Sequence, residues 1–118
     1  MTLKQAIEQF PVAGLDLLAL KGQDDAFARC LSFLDGIEQG NSQNRSHTSY
    51  GFKHMVENPS RYVPYSVYAY TGYVYEGTFV LAALVSGFVM RPLGNSIKAT
   101  FNISERGRQR RLRELANK

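Results

Sequence analysis

One segment near the middle of the chain constrains the fold more than any other. Residues 78–86, with the sequence TFVLAALVS, place apolar side chains on every side of a helix rather than along one stripe. A helix of that kind is stable only where other elements enclose it, because its whole surface avoids water. The sequence therefore predicts that this helix is the centre of the core and that the other elements pack around it.

This apolar segment is too short to cross a lipid bilayer as a helix. The longer stretch that contains it, residues 67–90, has an uninterrupted apolar part, residues 79–90, of about half the ~20 residues that a membrane span needs, and Gly72 and Gly77 interrupt the stretch before that part. The first ten residues also lack the continuous apolar region of a signal peptide. We therefore expect no membrane contact and a cytoplasmic protein.

The size and composition are those of one ordinary domain. The 118 residues are 44% hydrophobic and 20% charged, which gives the chain enough apolar material for one core. We expect a single domain over residues 1–118, made of a helical N-terminal part (1–40), a polar loop (41–49), the core (50–103) and a basic C-terminal helix (104–118).

Apolar side chains at helical spacing predict three helical segments in the N-terminal part. The first is expected over residues 2–9, capped by its first residue, and the second is a leucine-rich turn or two over 14–21. The third begins at Asp24, where a negative charge favours a helix start, and ends at Gly36 or Gly40.

The single cysteine, Cys30, lies in the third of these segments. One cysteine forms no internal disulfide, which argues against a secreted disulfide scaffold. Its place on the apolar side of the helix predicts a buried hydrophobic residue rather than a reactive thiol.

The second half of the chain predicts further helices and a small hairpin. A fourth helix is expected over 47–57, and the segment 61–75 is interpreted as a loop because proline and glycine interrupt it. Residues 96–103 alternate apolar and polar side chains, so they are expected to pair with 88–91 as a hairpin. The predicted fold class is α+β and mainly helical, with four or five short helices around residues 78–86, the hairpin near 88–103 and the basic helix.

The net charge of +4 is concentrated at the C-terminal end of the sequence. Residues 104–118 carry six basic and two acidic side chains, whereas the residues before them sum to zero. An arginine guanidinium matches the geometry of phosphate, and a basic terminal arm is typical of proteins that contact nucleic acid. An acidic protein partner or a merely solvated helix remains an alternative. The candidate binding residues are Arg106, Arg108, Arg110, Arg111 and Arg113.

Tyrosines are the second unusual feature, because six of the seven fall between residues 62 and 75. Tyrosine combines a large apolar ring with a hydroxyl that stays hydrated, which suits partner surfaces, and its ring can also stack on unpaired bases. The alternative is that these rings cover the core of a small domain. A tyrosine-rich surface would also suit a homodimer. The candidate interface or stacking residues are Tyr65, Tyr68, Tyr70, Tyr73 and Tyr75.

The sequence contains no recognisable catalytic or metal-binding pattern. His47 and His54 are the only histidines, and their spacing relative to Glu57 matches no standard zinc motif. We therefore expect no metal, no cofactor and no enzymatic activity. An enzyme would need a pocket that joins His54 to Glu57 or Glu76.

Three stretches resemble short uncharacterised proteins of phage, plasmid and other mobile bacterial DNA: YGFKHMVE (50–57), YVYEGTFVLAALVSGF (73–88) and ATFNIS (99–104). The resemblance implies an accessory role in a bacterial or phage-infected cytoplasm. The first hypothesis is accordingly a non-enzymatic accessory protein that binds nucleic acid through its basic C-terminal helix. The alternative is a protein that inhibits a host complex that processes nucleic acid, for example an anti-CRISPR or other anti-defence protein, through its tyrosine-rich surface.

Overall fold

The computed structural model describes residues 1–63 and 70–116, and within these the chain forms five α-helices and one two-stranded antiparallel sheet. The expected α+β, mainly helical fold is confirmed. In chain order the elements are α1 (Leu3–Gln9), α2 (Asp24–Leu34), α3 (Ser49–Glu57), a short 3-10 helix (Pro59–Tyr62), α4 (Glu76–Val85), β1 (Met90–Pro92), β2 (Ala99–Phe101) and α5 (Glu105–Ala116).

The apolar helix α4 lies at the centre of the core, as its sequence predicts. Its residues from Phe79 to Ala83 are completely buried, and α1, α2 and α3 all pack against it. The helix begins two residues earlier than expected, at Glu76, whose carboxylate suits the positive end of the helix dipole. No helix in the described part of the chain is long and apolar enough to cross a membrane.

Gly77 lies inside the first turn of α4, so the expectation that it interrupts the helix is wrong. A Cβ atom at this position would be 2.8 Å from Leu15 Cδ1 and would overlap the ring of Tyr75. That ring is held in place because the Tyr75 hydroxyl accepts a hydrogen bond from the Asp16 backbone N–H, at 3.0 Å. The glycine is thus required by close packing and not by a break in the helix.

The N-terminal helices agree with the sequence except at residues 14–21. Helix α1 has its expected cap, since the Thr2 hydroxyl accepts from the Gln5 N–H at 3.1 Å. Residues 14–21 form turns and not a continuous helix, with one helical hydrogen bond, from the Leu20 N–H to the Asp16 carbonyl at 3.2 Å. The Asp16 carboxylate caps this single turn by accepting hydrogen bonds from the N–H groups of Leu18 and Ala19.

Helix α3 begins at Ser49, two residues later than expected. The Asn44 side-chain oxygen accepts from the N–H groups of Ser46 and His47, at 3.0 and 3.2 Å, and this holds the preceding residues in a turn. The helix ends before Asn58, as predicted.

The hairpin is confirmed, with Met90 opposite Phe101 and Pro92 opposite Ala99. Ala99 and Phe101 are completely buried, as their alternation predicts. Thr100, expected on the solvent side, is also buried at 8% exposure, because its hydroxyl donates to Gln43 Oε1 at 2.7 Å. The loop after α2 therefore covers the outer face of the hairpin.

Cys30 is completely buried in α2, as predicted. Burial raises the pKa of its thiol to about 12, which keeps the sulfur protonated and inert.

Candidate nucleic-acid interface

The basic helix α5 uses part of its charge to attach itself to the rest of the protein. Arg108 is only 8% exposed, and its Nε donates to Glu105 Oε1 at 2.8 Å while its Nη2 donates to the other carboxylate oxygen. Its Nη1 lies 3.7 Å from the sulfur of Met55 on α3. This arginine therefore pairs inside the protein and does not face a partner.

Arg110 and Arg111 bind the C-terminal end of α2. Arg110 Nη2 donates to the Gly36 carbonyl at 2.9 Å, and Arg111 Nη2 donates to the Ser32 carbonyl at 2.7 Å. Carbonyls at the end of a helix have no partner within it, so positively charged donors stabilise them. These two arginines are half-buried and act as a cap for α2.

Arg106 and Arg113 are the exposed members of the predicted set. Neither has a hydrogen-bond or ion-pair partner among the described residues. The five predicted arginines thus divide into three that hold α5 in place and two that remain available to a ligand.

A more promising basic site lies at a groove between the loop after α2 and the hairpin. The groove has a volume of about 380 Å³, and six of its eight lining residues carry a polar or charged side chain. Its two arginines, Arg45 and Arg91, are exposed and have no partner among the described residues. The lining residues are Gly40, Asn41, Ser42, Gln43, Arg45, Val89, Arg91 and Asn102.

Side-chain amides fix the walls of this groove. Gln43 Nε2 donates to the Val89 carbonyl at 3.0 Å, and Asn102 Oδ1 accepts from the Val89 N–H at 2.7 Å. Asn102 Nδ2 in turn donates to Gln39 Oε1 at 3.0 Å. Both walls are therefore tied together before any ligand arrives, which lowers the entropy cost of binding.

A second depression, of about 310 Å³, is lined by the same loop and reaches the start of α5. Arg45 lines both depressions, and Arg106 follows directly after Glu105, a lining residue of the second one. The exposed positive charge of the loop thus adjoins the first turn of α5.

The sequence contains a signal for this site that the terminal charge count hides. Residues 1–38 hold three basic and six acidic side chains, a net charge of −3, whereas residues 39–118 hold eleven basic and four acidic ones, a net charge of +7. Each of those four acids hydrogen-bonds within the protein: Glu57, Glu76, Glu105 and Glu114. The free charge of this part of the chain is therefore positive.

The predicted tyrosines have different environments. Tyr70 and Tyr73 are each 56% exposed, so they are surface residues. Tyr75 is half-buried against the core and its hydroxyl accepts from Asp16, which makes it a structural residue. Tyr65 and Tyr68 lie outside the described residues.

Tyr50, an exposed tyrosine outside the predicted set, lies beside Tyr73. The ammonium nitrogen of Lys53 is 5.7 Å from the centroid of the Tyr50 ring and 4.6 Å from that of Tyr73. The ammonium nitrogen of Lys98 is 4.5 Å from the Tyr50 centroid. The four residues Tyr73, Lys53, Tyr50 and Lys98 thus form a row of alternating rings and cations, the aromatic row.

Glu57 anchors this row from the interior of the protein, where it is only 4% exposed. Burial by itself would raise the pKa of its carboxyl, but hydrogen bonds from the Val74 N–H at 2.8 Å, from Lys53 and from His54 outweigh burial and lower the pKa. Its oxygens are occupied by these donors, so the carboxylate acts as an anchor and is not available as a general base.

The two histidines have different partners. His47 packs against the ring of Phe52 and its Nε2 lies 3.7 Å from a Glu105 oxygen, whereas His54 Nδ1 lies 3.0 Å from Glu57. Among the described residues, no group of three or more histidine, cysteine, aspartate or glutamate side chains could hold a metal ion.

Comparison with protein-family models, with curated proteins and with solved structures finds no match to this chain. The resemblance to proteins of mobile bacterial DNA stays a prediction.

Proposed function

We propose that this protein binds nucleic acid, without catalysis, by holding backbone phosphates in the groove between residues 40–45 and the hairpin. One observation carries the proposal: Arg45 and Arg91 line the same open groove, and neither guanidinium has a partner among the described residues. An exposed pair of unpaired arginines on fixed walls is suited to phosphate oxygens, which accept the planar guanidinium fork.

The polar groups of the groove suit the same ligand. Ser42 and Asn41 supply a hydroxyl and an amide, the kinds of side chain that share phosphate contacts with arginine. The exposed Arg106 and Arg113 add positive charge on α5. Of the five candidate arginines of the predicted basic helix, two therefore contribute to binding, and the groove supplies the remainder of the binding charge.

The charge distribution also favours a defined orientation. The acidic first third of the chain repels a polyanion, whereas the basic remainder attracts it. Such asymmetry steers an approaching ligand and raises its association rate at low salt. The resemblance to proteins of mobile bacterial DNA supports an accessory role of this kind in a bacterial or phage-infected cytoplasm.

The proposal is tested by fluorescence anisotropy of labelled single-stranded and duplex DNA and RNA at several salt concentrations. Neutralisation of about three or four phosphates predicts a slope of roughly −3 in a plot of log affinity against log salt concentration. An affinity that is independent of salt would contradict phosphate binding.

Exposed aromatic side chains favour a second candidate, the inhibitor that docks on a protein of a host complex. Tyr50, Tyr70 and Tyr73 are each about half exposed, and aromatic residues dominate the energy of many protein interfaces. Under this alternative, replacement of these tyrosines abolishes capture of the partner, and replacement of Arg45 and Arg91 leaves capture unchanged.

A further inference from the structure

The aromatic row points to a preference for one form of nucleic acid. We infer that Tyr50 and Tyr73 stack on unpaired bases, so that the protein binds single strands more tightly than duplex. The inference rests on the proposed function, because the arginine groove supplies the phosphate contacts, and it assigns a separate role to a separate surface.

The two rings are close enough to act on one strand. Both centroids are within cation–π distance of the same Lys53 ammonium, so the distance between them cannot exceed the sum of the two separations, 5.7 and 4.6 Å. Lys53 is 7% exposed, whereas Tyr50 and Tyr73 are 49% and 56% exposed. The cation therefore supports the rings from the protein side and leaves ring surface open to solvent.

The rings are held in place by their surroundings. Tyr50 belongs to the first turn of α3, and its ring packs edge-on against His54 with centroids 4.5 Å apart. Tyr73 lies between two fixed backbone groups: Arg29 Nη1 donates to the Gly72 carbonyl at 3.2 Å, and Glu57 accepts from the Val74 N–H. A surface that is ordered beforehand loses little entropy when a flat ring stacks on it.

The charge around the rings suits a nucleotide chain. Lys53 and Lys98 lie at the row, and the side chains of the two nearby acids, Glu57 and Glu76, are only 5% and 13% exposed. Lys98 is 41% exposed at its side chain and lies 3.9 Å from Glu76, so it can turn from the Tyr50 ring to a phosphate. Flat aromatic faces beside cations are typical of surfaces that bind single strands, since every base offers a face for stacking.

Duplex gives these rings little to bind. Bases within a duplex are stacked on one another, so their faces are closed to an exposed tyrosine ring. Single strands offer the same phosphates together with free base faces. The row is therefore expected to discriminate between the two forms, while the arginine groove binds both.

The test compares a single-stranded oligonucleotide with a duplex of the same length in anisotropy titrations of four proteins. These are the wild type, the variant Tyr50→Leu/Tyr73→Leu, the conservative variant Tyr50→Phe/Tyr73→Phe, and the control Tyr62→Leu, which removes another exposed tyrosine. The leucine pair should lose roughly tenfold in single-strand affinity per ring and less than about twofold in duplex affinity. The phenylalanine pair and the control should match the wild type.

A second measurement uses the wild type alone and so does not depend on how the variants fold. A single strand that contains 5-iodouracil is irradiated with the protein, and the crosslinked peptides are identified by mass spectrometry. Crosslinks at Tyr50 or Tyr73 support the inference. Crosslinks confined to other residues, or equal single-strand and duplex affinities in the wild type, overturn it and leave the proposed function standing. Failure to bind either form at low salt overturns both.

Discussion

Arg108 and Glu105 form an ion pair inside the most basic segment of the chain. Arg108 is 8% exposed and donates to both oxygens of the Glu105 carboxylate, three residues earlier on α5. The same carboxylate accepts from Asn44 Nδ2 at 3.1 Å. The pair therefore joins the first turn of α5 to the loop that carries Arg45, and it links the stability of the helix to the geometry of the candidate site.

This pair predicts a specific dependence of stability on pH. Hydrogen bonds from Arg108, then from Asn44, lower the pKa of Glu105 from 4.5 to about 2 against the opposing effect of burial. Because the folded-state pKa is depressed, the stabilisation is complete above pH ~4.5 and is lost as the pH falls toward 2. The side chain is 39% exposed, so screening reduces the effect to on the order of 1–2 kcal/mol.

The measurement is urea unfolding of the wild type and Glu105→Gln at pH 7, 5 and 3. The variant should be less stable at pH 7, and the difference between the two proteins should shrink at pH 3. A difference in the free energy of unfolding that stays constant over this range would contradict the ion pair.

The buried ion pair between Lys53 of the aromatic row and Glu57 predicts unequal effects of its two members. Lys53 Nζ lies 3.1 Å from Glu57 Oε2, and Glu57 also accepts from the Val74 N–H and contacts His54. Glu57→Gln leaves a buried ammonium without its counter-charge and should cost about 3 kcal/mol. Lys53→Met leaves Glu57 with its other two partners and should cost less. Chemical denaturation of both variants provides the measurement, and a larger loss for Lys53→Met would contradict the role assigned to Glu57.

Two helical glycines predict opposite responses to alanine. A Cβ at Gly77 would overlap Tyr75 and Leu15, so Gly77→Ala should destabilise the protein by about 1–3 kcal/mol. A Cβ at Gly51 in α3 would meet the His47 side chain at an ordinary contact distance of 3.9 Å, so Gly51→Ala should stabilise the protein by about 0.5–1 kcal/mol through helix propensity. Thermal unfolding of both variants provides the measurement. A gain in stability for Gly77→Ala would contradict the predicted overlap.

The elements that the sequence predicted are those with strong local patterns. The apolar helix α4 and the alternating strand β2 show their burial within a few neighbouring residues, so periodicity alone was sufficient to find them. The start of α3 was placed two residues too early, because the Asn44 side chain holds the residues before Ser49 in a turn by local hydrogen bonds. Such competition between side chain and backbone does not appear in a pattern of apolar residues.

The candidate site was harder to predict, because residues far away in the sequence decide which arginines are paired and which are available. Arg110 and Arg111 bind the carbonyls of Gly36 and Ser32, which are 74 and 79 residues away. Nothing in the sequence around these two arginines indicates that their guanidinium groups are paired. Arg45 and Arg91 are single charges in segments of mixed composition, and only the fold brings them to one groove. A count of charge over the two parts of the chain would have directed attention to the region but not to these residues.

The measurement that tests the central claim most directly compares two variants of equal charge. Arg45→Gln/Arg91→Gln removes both groove arginines, and Lys4→Gln/Lys21→Gln removes two exposed lysines of the acidic N-terminal part. Anisotropy with one labelled oligonucleotide at low salt should show a loss of at least about tenfold for the arginine pair and less than about threefold for the lysine pair. Equal losses for the two variants would mean that net charge alone governs binding, and the proposed groove would be wrong.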